Sequence, residues 1–203
     1  MSLTEGEKNR VPTFAKDHDF EAEATLTPVG IFLPQFNQLY LFFVLSTVTA
    51  DCLVDLLEQS WQALKDQFPQ IQKLVINADN GPENHSRRTQ FMHRLVNWSQ
   101  TERLTIQLAY YPPYHSKYNP VEKTFGWLEQ HWNGELLDSI DAVLNFAKSL
   151  EFRGNRPVVH LVSQVYETGV KLSQTAMAEL EKQFQRLPGL EKWFVEIPAR
   201  STE

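Results

Sequence analysis

The sequence predicts an α/β fold, a sheet with helical cover, and three observations carry that reading. Short apolar runs and helical periodicities alternate along the chain in the order hairpin, helix, strand, helix, strand, helix. Leu74-Val75-Ile76-Asn77-Ala78 is a compact apolar run closed by Asp79-Asn80-Gly81-Pro82, the pattern of an inner strand that ends in a turn-rich loop. A chain of 203 residues that is 42% hydrophobic can bury one substantial core, which fits a single globular domain.

Residues 1–16 form an irregular N-terminal segment, and the core runs from 17 to 203 with a helical C-terminal extension from about 152. Val29 to Leu33 and Leu39 to Leu45 read as two strands, with Pro34-Gln35-Phe36-Asn37-Gln38 as the hairpin loop between them. Thr49 can cap a helix whose Leu53, Leu56, Leu57, Trp61 and Leu64 recur at three- and four-residue spacings, and Pro69 marks its limit. After the strand Lys73 to Ala78, Asn84 or Ser86 is the expected cap of a second helix that turns Phe91, Leu95, Val96 and Trp98 inward. Leu104 to Tyr110 is another strand, and Pro120 suits the first turn of a helix reaching Trp132, because a proline there gives up an N–H that has no helical partner. Ser139 to Leu150 and Ser173 to Gln185 read as helices and Trp193 to Ile197 as a short strand, while Val158 to Val165 fits strand or helix equally.

Composition excludes several classes of function. The single cysteine, Cys52, rules out an intrachain disulfide and a cysteine-rich zinc site, and its helical setting marks it as a packing residue. No stretch approaches the roughly 20 apolar residues of a membrane span, and Met1 to Arg10 lacks the apolar centre of a signal peptide, so a soluble cytoplasmic protein is expected. The formal net charge of -6 argues against a whole-surface footprint for DNA, so any contact with nucleic acid must be local.

Two acids stand where open α/β sheets present reactive groups. Asp79 ends an inner strand, and Glu122 lies in a first helical turn, where the positive helix end favours it. Together they can ligate hard divalent metals, the basis of phosphoryl transfer on nucleic acid. Each also has a simpler use: Asp in Asp79-Asn80-Gly81 closes turns, and Glu122 complements the helix dipole. Arg87, Arg88 and Arg94 on the following helix form the candidate patch for a DNA backbone, with Lys117 as a further phosphate contact, although a solvated helix face explains the arginines as simply. Asn80 and Asn84 can orient a ligand or satisfy loop backbone. Tyr110, Tyr111, Tyr114 and Tyr118 can stack on bases or brace the proline loop.

The segment Tyr111-Pro112-Pro113-Tyr114-His115-Ser116-Lys117-Tyr118-Asn119-Pro120-Val121-Glu122 resembles the Pro-Pro-Tyr-Ser…Asn-Pro-Ile-Glu motif of DDE transposases. A closer likeness, to the ISAzo13 group of bacterial insertion-sequence transposases, extends through Asp17-His18-Asp19-Phe20, Ile76-Asn77-Ala78-Asp79-Asn80-Gly81, His115-Ser116-Lys117-Tyr118-Asn119 and His131-Trp132-Asn133-Gly134. The resemblance implies an RNase H-like fold, a mixed sheet flanked by helices. Three acids in it bind two Mg²⁺ (or Mn²⁺) ions and cut and rejoin DNA, the partners being transposon ends and target. Asp79 matches the second acid and Glu122 the third.

The family's first acid lies on an earlier strand in an Ile-Ser-x-Asp-Thr-Lys context that residues 1–16 do not reproduce, and Asp17, Asp19, Asp51 and Asp55 fall out of register with it. The resemblance therefore implies an incomplete core whose first, central strand is missing or replaced. Self-association, a substituted N-terminal strand or an altered sheet order are the expected repairs. The alternatives are a degenerate or domesticated DNA-binding or assembly module without catalysis, and an RNase H-like nuclease that cleaves without joining.

Overall fold

The computed structural model describes residues 25–112, 119–132 and 137–199. Its first unit is the hairpin of β1 (Thr27–Leu33) and β2 (Gln38–Val44), paired antiparallel from Thr27↔Val44 to Leu33↔Gln38. The chain reverses through a single 3-10 turn over Pro34–Phe36, closed by Asn37 in the left-handed region at φ 50. Asparagine tolerates that conformation because its short polar side chain bonds locally.

The helix α1 (Ala50–Leu64) starts at Thr49, whose hydroxyl accepts the Cys52 N–H at 3.3 Å. Then come β3 (Lys73–Ala78), α2 (Thr89–Glu102), β4 (Thr105–Tyr110), α3 (Pro120–His131) and α4 (Ile140–Ser149), the last two capped by the side chains of Asn119 and Ser139. The remainder is β5 (Val158–Val162), α5 (Gln174–Glu181), β6 (Gln185–Arg186) and β7 (Phe194–Ile197). None of the described helices is long and apolar enough to cross a membrane.

The described strands form two mixed sheets, ordered β1-β2-β5 and β3-β4-β7-β6, where the sequence predicts one. The ambiguous Val158 to Val165 stretch resolves as β5, parallel to β2 from Tyr40↔Val158 to Val44↔Val162, which occupies the second edge of β2. Both sides of β2 are buried. Leu39, Leu41 and Phe43 meet Leu128 of α3 with Ala147 and Leu150 at α4, while Tyr40, Phe42 and Val44 meet Cys52 and Leu56 of α1 and Tyr166. The second sheet packs Ile106, Leu108, Val195 and Ile197 against α1, α2 and α5.

Three expectations need revision. The strand β3, read as internal, lies at a sheet edge: it pairs with β4 alone among the described residues, and Val75 is 54% exposed. Its apolar run is genuine, but no second strand among the described residues covers that side. The helix α2 begins at Thr89, later than Asn84 or Ser86, which belong to the loop before it: Asn84 Nδ2 donates to Asp79, and Ser86 Oγ donates to the Lys192 carbonyl at 3.0 Å. The stretch beyond 152 contributes one helix and three strands, so it builds both sheets where a mainly helical extension is expected.

Two tests follow from the packing. Leu108, fully buried at the centre of the second core, should cost about 2–5 kcal/mol when cut to alanine, read as a lower urea midpoint at constant m-value. Two glycines should respond with opposite signs. A Cβ on Gly30 would stand 2.9 Å from Val121 Cγ2 and 3.0 Å from the Phe125 ring, so Gly30→Ala should push α3 off β1 and lose about 1–3 kcal/mol. A Cβ on Gly126, inside α3, meets nothing within 4 Å, so Gly126→Ala should gain up to about 1 kcal/mol from helix propensity.

Candidate functional site

The strands β3 and β4 run parallel in register and end together, Ala78 opposite Tyr110, so Asp79 leaves the sheet at its C-terminal edge. A backbone bond from Tyr111 N to Ala78 O at 3.0 Å holds the two exits side by side. Asp79 is solvent-exposed. Its Oδ1 accepts two bonds, from Gly81 N at 3.3 Å and from Asn84 Nδ2 at 2.8 Å, and Asn80 between them sits at φ 62. The aspartate therefore does close its turn, as the simpler reading held. The same bonds also fix one carboxylate oxygen of this exposed side chain.

The loop after Asp79 is held from several sides. The Tyr110 hydroxyl donates to the Asn84 carbonyl at 2.7 Å, and burial raises the Tyr110 phenol well above its ordinary pKa, so it remains a donor. Arg186 of β6, stacked over Phe184, reaches the Ser86 carbonyl at 2.8 Å while Glu181 neutralises it at 2.7 Å. Glu83 turns away from Asp79: its Oε2 accepts the Ala50 N–H at 3.1 Å in the first turn of α1 and the Arg88 Nε–H at 3.1 Å. An anion at a helix N-terminus is stabilised by the exposed amides there, so Glu83 fastens the loop to α1.

Glu122 is exposed in the first turn of α3, whose start is capped by Asn119 Oδ1 accepting Val121 N–H at 3.3 Å. The helix α3 lies on the first sheet, against β1 and β2, whereas Asp79 belongs to the second sheet. Among the described residues no three acidic, histidine or cysteine side chains come close enough to hold a metal. Asp79 and Glu122 are each accessible oxygen donors, but the described residues do not assemble them into a two-ion centre.

The basic residues divide. Arg87 is exposed, its backbone N–H bonded to His85 Nδ1 at 3.1 Å; burial, and then the charge of Arg88, lower the His85 pKa and favour the neutral ring that accepts this bond. Arg88 is tied to Glu83. Arg94 faces inward between helices, 2.9 Å from Asp51, 2.6 Å from Asp55 and 3.5 Å from Glu58. Its partial burial opposes the charge, and the bonds to Asp55 and Asp51 outweigh that and raise its pKa. Lys117 lies outside the described residues, as do Tyr114, His115, Tyr118, Asp17-His18-Asp19-Phe20 and Asn133-Gly134.

Sequence reasoning missed Glu83 and Arg186, and for Asn84 it offered a ligand or loop backbone but not the Asp79 side chain. No local period marks them. Glu83 acts on a helix start 33 residues earlier and Arg186 on a loop 100 residues earlier, so only the folded chain brings them to the site.

Neither a curated protein nor a solved structure matches the chain. The family described as Rhodopirellula transposase DDE domain matches residues 4–199, a span that takes in both sheets, the Asp79 loop and the helix that carries Glu122. With that span covering nearly all of its 203 residues, the chain belongs to this family of transposase DDE domains.

Proposed function

We propose that this chain is a DDE-type transposase catalytic core that cleaves and transfers DNA strands with divalent metal, Asp79 and Glu122 supplying two of its carboxylates. The observation that carries the proposal is Asp79 itself: an exposed carboxylate at the C-terminal edge of a parallel strand pair, with one oxygen locked by its own loop, inside a transposase DDE domain. Ligands of open α/β sheets bind at such edges.

The strand order supports an RNase H-like arrangement. In that fold the strand of the first acid lies between the hairpin and the strand of the second acid. The edges it would join are those of β1 and β3, and neither has a second strand neighbour among the described residues. A strand in that position would complete the order β5-β2-β1-x-β3-β4-β7-β6, joining the strand that ends at Asp79 to the sheet on which α3, the helix of Glu122, lies. The finished site also needs a further carboxylate.

DNA would be held locally, since the net charge is -6. Arg87, exposed beside the Asp79 loop, is the best placed cation, with Lys117 retained from the sequence reading. Arg88 and Arg94 have carboxylate partners that offset their charge. One observation favours the rival reading of a DNA-binding or assembly module without catalysis: no metal-holding trio exists among the described residues.

Incubation of the 203-residue chain with supercoiled plasmid bearing transposon ends and Mn²⁺ or Mg²⁺ separates the readings. Metal-dependent strand transfer, which a further carboxylate in the assembled site must complete, is the result that supports the catalytic core, with Asp79→Ala and Glu122→Ala each slowing it on the order of 100-fold or about 2.7 kcal/mol of barrier. Cleavage without joining indicates a nuclease, and retention of DNA without cleavage indicates the assembly module. Arg87→Ala should weaken DNA binding evenly across sequences and reduce the slope of log K against log salt by about 1, measured by fluorescence anisotropy.

A further inference from the structure

We infer that Asn84 is a second oxygen ligand, beside Asp79, for one divalent cation of the Mg²⁺ or Mn²⁺ type, seated in the niche over Gly81. The inference rests on the proposed metal role of Asp79 and extends the donor set beyond carboxylates.

The Asn84 carboxamide is turned with its Nδ2 toward Asp79 Oδ1, at 2.8 Å. The opposite atom, Asn84 Oδ1, is buried and has no hydrogen-bond partner among the described residues. A buried acceptor without a donor is strongly disfavoured, and such an atom calls for a bound water or ion. Turning the amide over would not repair it, because the oxygen would then face a carboxylate oxygen. The ionised Asp79 thus dictates the orientation that leaves Oδ1 over.

Gly81 shows where that oxygen lies. From the point where a Cβ on Gly81 would stand, Asn84 Oδ1 is 3.2 Å away, Asp79 Oδ1 3.5 Å and Asp79 Oδ2 3.7 Å. Three oxygens, two of them sharing a negative charge, therefore converge within 4 Å of the one point that a side chain at residue 81 would occupy. A water could donate to Oδ1, but a divalent cation gains more from the adjoining carboxylate. Mg²⁺ favours one or two carboxylates, other hard oxygens and retained waters, which this niche and the solvent beside it supply. The donors are also held in place before binding. Tyr110 fixes the Asn84 carbonyl at 2.7 Å, and His85 N donates to the Gly81 carbonyl at 3.1 Å, so little loop order remains to be gained when the ion enters.

The test is a Mn²⁺ titration of the full chain, followed by the electron paramagnetic resonance signal of free Mn²⁺, with Mg²⁺ as competitor. The expected results are Mn²⁺ binding by the parent, about tenfold weaker binding by Asn84→Ala and Gly81→Ala, and parent or tighter affinity in Asn84→Asp, which keeps an oxygen at the position. Circular dichroism without metal reports folding. If Asn84→Ala does not fold, Asn84→Asp decides: retained affinity supports the ligand role, and lost affinity overturns it. Parent-like binding in Asn84→Ala together with loss in Asp79→Ala would overturn the role of Asn84 alone. Parent-like binding in Asp79→Ala would also remove the proposed metal role of Asp79. Absence of Mn²⁺ binding by the parent would overturn the inference and leave the niche to water.

Discussion

The helix α1 is the constraint on which the rest of the molecule depends, because it is buried on two sides at once. Ala50, Val54 and Trp61 face α2 and the second sheet, while Cys52 and Leu56 face β2 of the first. Between these apolar stripes Asp51, Asp55 and Glu58, spaced four and three apart, share one line along the helix and close on Arg94 of α2. Tyr166, in the chain after β5, adds a bond to Asp55 at 3.0 Å. Without α1 the described residues would be two sheets with little common core. With it, the sheets share one buried helix, and the carboxylate cluster orients α2 against it.

That arrangement has a consequence for the site. Glu83, in the Asp79 loop, caps the start of α1, so the loop is fastened to the helix that joins the two cores. Arg186 and Lys192 hold the same loop from the C-terminal side through Ser86. Asp79 is exposed, yet the backbone behind it is tied to α1, β4 and β6. Preorganisation of this kind holds the Asp79 side chain in one orientation.

Much of the architecture was legible from local pattern. The hairpin, the cap at Thr49, the helix start at Pro120 and the strand ending at Ala78 depend on interactions within a few residues, which leave a period or a turn signal. The helix α2 was legible in its apolar face but not in its start, because Asn84 and Ser86 hold the loop before it through distant contacts with Asp79 and Lys192. The stretch around Val158 held no decisive local signal; the unpaired edge of β2 makes it a strand. Arg94 resembled a surface cation because its carboxylate partners stand about 40 positions earlier in the chain.

From the order of residues alone came the α/β class, most of the elements, the exclusion of an intrachain disulfide and of a cysteine-rich zinc site, and the family, which the match over residues 4–199 shows. Those features follow from covalent neighbours and from periods of two and 3.6 residues, which a sequence displays directly. The division into two sheets, the edge position of β3 and the fate of each charged side chain came from the folded chain. Pairing and ion contacts join groups up to more than a hundred residues apart, and which partner prevails depends on burial and direction that no local pattern encodes.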